Sequence, residues 1–107
     1  MPPKELTLVT MDDRLFIPNE YTKNCIKKFG INDQLDHLQE ECAELIVAIS
    51  KVKRKKDYAR ENLKEEIAHV LMLMVQVMDI EEITERDVKM EVTKSAIRHG
   101  IKLKESL

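Results

Sequence analysis

The chain has no tryptophan, and aromatic residues amount to only 4% of its 107 positions. A core built from it must therefore use Leu, Ile, Val, Met and Ala, the side chains of helix packing. Glycine occurs twice and proline three times, and neither falls between Ile31 and Gln76. A chain so poor in breakers is not β-rich. Two cysteines, Cys25 and Cys42, are too few for a disulfide scaffold; they suit buried thiols in a reducing cytoplasm. Neither sign of charge prevails. Eighteen Lys and Arg stand against 20 Asp and Glu, a formal net of −2, so nothing global argues for nucleic acid or a membrane surface as partner. The first residues lack the apolar stretch of a secretion signal, and no apolar run nears the ~20 residues of a membrane span. The expectation is one cytoplasmic, all-α domain.

All three prolines lie in residues 1–18, which show no helical period and read as an extended or flexible arm. Residues 19–107 then form the helical domain. A short helix is expected after Asn19, its N-cap, ending at Gly30. Asn32 is expected to cap a second helix with a stripe of Leu35, Leu38, Cys42, Leu45, Ile49 and Val52, spaced as the seam of a bundle. Lys51, Lys53, Arg54, Lys55 and Lys56 follow. They suit either a solvated helix C-terminus, through its dipole, or a triphosphate neighbour. Asp57 is expected to cap a third helix. Its Val70–Val75 run is apolar all round, which implies cover on more than one side. This makes the chain a homo-oligomer, with Leu71, Met72, Val75 and Met78 at the interface. Thr84 and Asp87 form a capping box for a fourth helix running to about Lys104, and Ile83 can staple to Val88. The architecture expected is a four-helix-type bundle.

The chemistry sits beside the stripe of the second helix. Gln34, His37, Glu41, Glu44 and Ala48 fall within an arc of roughly 80° on one edge. On the third helix Asn62, Glu66, His69 and Leu73 share a face. If the two helices lie antiparallel, the carboxylates converge. Like charges gathered at a helix interface repel strongly unless a cation sits among them. Carboxylate oxygens select a hard ion, Mg²⁺ or Mn²⁺. An ion held by few carboxylates suits nucleoside triphosphate chemistry, with water as the attacking group. Ser50 and Ser95 have no His-acid setting for nucleophilic catalysis. Spacing alone is a weak signal, because Glu-x-x-Glu also occurs on solvated helix faces.

Glu40-Glu41-Cys42-Ala43-Glu44-Leu45-Ile46, the basic turn, and Asn62-Leu63-Lys64-Glu65-Glu66-Ile67-Ala68 together resemble the MazG-like nucleotide pyrophosphohydrolases of the all-α NTP pyrophosphatase superfamily. The resemblance spans roughly residues 31–104. It implies a homodimer or homotetramer of helical bundles. It also implies Mg²⁺-dependent cleavage of a nucleoside triphosphate to its monophosphate and pyrophosphate. The family pattern is Glu-x-x-Glu on one helix and Glu-x-x-Asp on the next. Glu41 and Glu44 match the first pair and Glu66 opens the second. His69 stands where the family has Asp.

That departure leaves several roles for His69: a metal ligand that favours Mn²⁺, a group orienting Glu41 or a water, a phosphate contact, or the mark of weakened activity. The catalytic and metal-binding set is thus Glu41, Glu44, Glu66 and His69. Gln34 and His37 are placed to meet base or sugar. Lys94 and Arg98, four apart on the fourth helix, either clamp phosphates or pair on the surface with Glu91 and Asp87. Two other readings stay open. One is a non-catalytic oligomerisation module of the same fold; the other is a phosphoribosyl-ATP pyrophosphatase.

Overall fold

The computed structural model describes residues 17–102. Almost all of the expected N-terminal arm, and the last residues assigned to the fourth helix, lie outside that range. The described residues contain four helices and no strand: α1 (Asn19–Phe29), α2 (Ile31–Lys53), α3 (Ala59–Ile80) and α4 (Glu85–Arg98).

A single residue separates α1 from α2. Gly30 turns the chain there at φ +90°, a conformation that any side chain would strain. Its N–H donates to the Ile26 carbonyl at 2.8 Å, closing α1. Its own carbonyl accepts from the Gln34 N–H at 3.1 Å, opening α2. Gly30 thereby takes the capping position expected of Asn32, which lies inside the helix. Pro18 likewise precedes α1, one residue ahead of Asn19.

The basic turn joins α2 to α3 through backbone hydrogen bonds. The N–H groups of Arg54 and Lys56 donate to the carbonyls of Ser50 and Lys51, both at 3.0 Å. Lys55 and Tyr58 adopt left-handed backbone at φ 55° and 60°. Tyr58, not Asp57, is the N-cap of α3, and no side chain caps that end. The cap is made by the main chain: the Tyr58 carbonyl accepts from the Asn62 N–H at 3.0 Å. So short a turn lays α2 and α3 side by side and antiparallel.

Their seam is the centre of the fold, and it does not follow the apolar stripe. On α2 the residues turned inward are Gln34 and Ala48, both buried, with Glu41 between them and its side chain only 12% exposed. These are seven apart, a line that runs straight along a helix packed at a shallow angle. On α3 the buried residues Ala59, Glu66 and Leu73 make a matching line at the same spacing. The α2 seam is rotated by roughly 70° from the centre of the Leu35–Val52 stripe. That stripe is left half-covered: Cys42, Ile49 and Val52 are exposed, while Leu35, Leu38 and Leu45 are half-buried. With Ile46, Ala43 and Val77 it borders an open apolar groove. The reason is size. Ala48 and Ala59 let the helices approach closely on the face that carries them, and bulkier stripe residues would hold them apart.

α1 packs across both long helices, and a Lys23–Asp79 ion pair at 3.2 Å ties it to the end of α3. On α3, Val70 and Leu73 are buried, while Leu71, Met72, Val75 and Met78 are half-buried in the single chain.

α4 begins at the capping box read from the sequence. The Thr84 hydroxyl accepts from the Asp87 N–H at 3.1 Å, and the Asp87 carboxylate accepts from the Thr84 N–H at 2.8 Å. Those bonds hold the Asp87 carboxyl below its ordinary range. α4 ends at Arg98, short of Lys104, and Gly100 follows at φ +66°. Among the described residues α4 packs against none of α1, α2 or α3, so the packed unit within one chain is α1–α3. A helix without that support depends on its cap. Thr84→Ala is expected to weaken α4 by about 1 kcal/mol. The expected reading is faster amide exchange confined to residues 85–98, with α2 and α3 unchanged.

Candidate metal centre

Halfway along the seam, where a purely structural helix pair would place leucine or alanine, two glutamates face each other. Glu41 comes from α2 and Glu66 from α3. His69, one turn beyond Glu66, leans over both. Its Nδ1 lies 3.3 Å from Glu41 Oε2 and 3.9 Å from Glu66 Oε2. One ligand atom from each of the three residues falls within a 4.8 Å cluster.

The two facing oxygens, Glu41 Oε2 and Glu66 Oε2, are buried and accept no hydrogen bond. His69 is near both but is not aligned to donate to either. Burying a carboxylate oxygen with no partner is costly, and two such atoms across one interface repel. The same crowding makes the Glu66 proton harder to remove than an ordinary carboxyl's. The Glu41 carboxylate, with which a protonated Glu66 would share its proton, then burial, then the Glu41 charge push its pKa above the ordinary 4.5; His69 and Glu44 pull the other way. The donor set is two unpartnered oxygens and one imidazole nitrogen, all convergent. That fits a divalent cation, which would relieve the repulsion and supply the missing partner.

The other expected site residues are distributed around this centre. Glu44, exposed and one turn from Glu41, stands outside the three-atom cluster. It lines, with Glu66, a cleft of about 350 Å³ whose remaining walls are Ala43, Val47, Lys51 and Asn62. His37 is half-exposed and sits on the far oxygen of Glu41, Nε2 to Oε1 at 3.3 Å. Gln34, expected to meet base or sugar, is instead buried in the seam, where its amide nitrogen donates to Gln76 Oε1 at 2.6 Å. It turned inward because the seam runs through the acidic edge that carries it. Lys94 and Arg98 lie on α4, away from the cluster within one chain, and Lys94 pairs with Glu91 at 3.2 Å.

Two residues at the cleft were not singled out as site residues from the sequence. Lys51 belongs, in the sequence reading, to a basic turn that is either a solvated helix end or a triphosphate neighbour; it stands two turns beyond Glu44 on the same side. Asn62 was placed on the Glu66 face without a role, although it is one turn before Glu66. The i, i+7 and i, i+4 spacings to the two glutamates were the available signals.

An antiparallel helix pair with facing buried glutamates defines a class: all-α proteins with an acidic cluster between two helices. Within that class the chain belongs to the MazG family, since the MazG nucleotide pyrophosphohydrolase domain matches residues 29–102. The matched segment contains α2, α3, α4 and the whole cluster. No curated protein and no solved structure matches the chain.

Proposed function

We propose that the protein is a metal-dependent nucleoside triphosphate pyrophosphohydrolase, releasing pyrophosphate and a nucleoside monophosphate. The observation that carries this reading is the pair of buried, unpartnered carboxylate oxygens, Glu41 Oε2 and Glu66 Oε2, contributed by different helices. Glu41 and Glu66, with Glu44 and His69 beside them, would hold Mg²⁺ or Mn²⁺. When bound, the ion supplies neutralisation of phosphate charge and a more acidic water. The chain's own residues do the rest. Lys51 presents a cation to the phosphates in the cleft, and Asn62 offers an amide donor. Glu44, exposed beside the cleft, accepts the proton of the attacking water. As the water oxygen bonds to the α-phosphorus, the bond from that phosphorus to the bridging oxygen breaks and pyrophosphate leaves. His37 holds Glu41 from its outer side and keeps the inner oxygen directed at the seam.

The same proposal includes a homodimer or homotetramer. The half-covered stripe of α2 is apolar surface suited to a second copy, and α4 with Lys94 and Arg98 is free to serve a neighbour's cleft. No helix is long and apolar enough to cross a membrane. Free Cys25 and Cys42 suit the reducing cytoplasm, where nucleotides are met.

The test is pyrophosphate release from a panel of ribo- and deoxynucleoside triphosphates with Mg²⁺ or Mn²⁺. Turnover is expected on at least one nucleotide. Glu44→Ala is expected to lower kcat by roughly 10²–10⁴-fold, the loss of a positioned base. Absence of turnover on every nucleotide with either ion would leave the non-catalytic module. Turnover confined to phosphoribosyl-ATP would identify that substrate instead.

A further inference from the structure

We infer that His69 is a direct ligand of the cation, and that it tunes the centre away from Mg²⁺ toward a nitrogen-accepting first-row ion such as Mn²⁺. The inference rests on the metal-centre reading above and goes on to name the ion. Three observations carry it. First, Glu66 is 7% exposed, and its inner oxygen has no partner although it is aimed at Glu41 and His69. Second, His69 Nδ1 stands 3.3 and 3.9 Å from the two unpartnered oxygens. Ligands held at about 2.1 Å from one ion are between roughly 3 and 4.2 Å apart, so His69 Nδ1 can share an ion with either oxygen; the three ligand atoms lie within 4.8 Å of one another. Third, the other nearby imidazole is elsewhere. His37 meets only the outer oxygen, Oε1, of Glu41. His69 is therefore the nitrogen placed to complete the set.

Chemistry then decides which ion. Mg²⁺ takes oxygen ligands almost exclusively and gives up its waters reluctantly. Imidazole suits the first-row divalent ions, whose affinity for nitrogen exceeds that of Mg²⁺. A site with one nitrogen and two buried carboxylate oxygens thus loses with Mg²⁺ one of its three ligands and keeps all three with Mn²⁺. His69 is half-exposed, so ion and solvent reach it from outside the seam.

The experiment loads the full-length protein with Mn²⁺ and records electron-nuclear double resonance for nitrogen coupling to the ion. Calorimetry measures Mn²⁺ and Mg²⁺ binding in parallel. Wild type is expected to show nitrogen coupling, and ¹⁵N-histidine labelling will shift it; this reading needs no variant. His69→Gln and His69→Asp are expected to lose the coupling, and His37→Gln to keep it. The Mn²⁺-to-Mg²⁺ affinity ratio is expected to fall about tenfold or more in His69→Asp. Mn²⁺ bound without nitrogen coupling, or an unchanged ratio in His69→Asp, would overturn the assignment of His69 and leave the hydrolase reading standing. Wild type that binds neither ion would overturn both.

Discussion

Glu66→Gln is expected to cripple pyrophosphate release and, in the same protein, raise the melting temperature measured without metal. Both effects come from one atom. Glutamine keeps the shape of Glu66 but brings no negative charge to the seam, so the repulsion with Glu41 disappears. The sign follows from the raised pKa of Glu66. A carboxyl that binds its proton more tightly when folded favours the fold most where it is protonated. Its contribution is therefore best below the ordinary value of 4.5 and is lost as pH climbs through the raised folded value. Asp87 and Glu61, whose carboxyls are held low by their hydrogen bonds, act in the opposite sense and weaken the fold as the solution becomes acidic. The difference between wild type and Glu66→Gln cancels those contributions. Melting temperatures recorded from acid to neutral pH should show the variant's advantage appear above pH 4.5 and then level off. Mn²⁺ should raise the melting temperature of wild type and leave that of the variant unmoved. Turnover should fall by roughly 10²–10³-fold or more, as for the loss of a main stabilising group. A variant that is less stable than wild type at neutral pH without metal would show that the glutamates are not in conflict. The centre would then have no need of a cation.

The second large effect lies further along the same seam. Gln34 is 3% and Gln76 2% exposed, and each depends on the other for its hydrogen bond. Gln76→Leu removes one partner and strands the Gln34 amide in the interior. The cost is about 1–3 kcal/mol. That corresponds to a loss of roughly 5–15 °C in melting temperature for a domain of this size. Replacing both by leucine removes the stranded group as well as its partner and should recover most of the loss. Urea denaturation of the four proteins completes a double-mutant cycle. A double variant no more stable than Gln76→Leu would mean that the pair is not the seam's main polar contact. The pair also matters to function. Gln34 lies two turns before Glu41, so the bond to Gln76 fixes the sliding position of α2 on α3. That position decides whether Glu41 comes opposite Glu66.

These two expectations mark where local and non-local information separate. Helix number, the capping box at Thr84, the stop at Gly30 and the basic turn were legible in the chain because each is set by contacts within a few residues. Two of the three misplaced caps, at Asn32 and Asp57, share one reason; the third, at Asn19, is off by a single residue. Gly30 and Tyr58 adopt positive φ, and the main chain closes the helix ends without a side-chain acceptor. Propensity favours Asn and Asp at such places but carries no account of the turn that precedes them.

The candidate site divides along the same line. Sequence alone determined that Glu41, Glu44, Glu66 and His69 lie on two neighbouring helices, one turn apart in each pair, because helical periodicity is a local property. It also set the resemblance to the family that the match over residues 29–102 shows. Only the tertiary structure decided which edge of α2 meets α3. Counting apolar residues favours the Leu35–Val52 stripe, yet close approach at Ala48 and Ala59 turns the acidic edge inward instead. That rotation brings Glu41 onto Glu66, sends Gln34 to Gln76, and leaves Glu44 beside the cleft with Lys51 and Asn62. Which face of a helix is buried depends on the fit of two surfaces far apart in the chain, and no single helix carries that information.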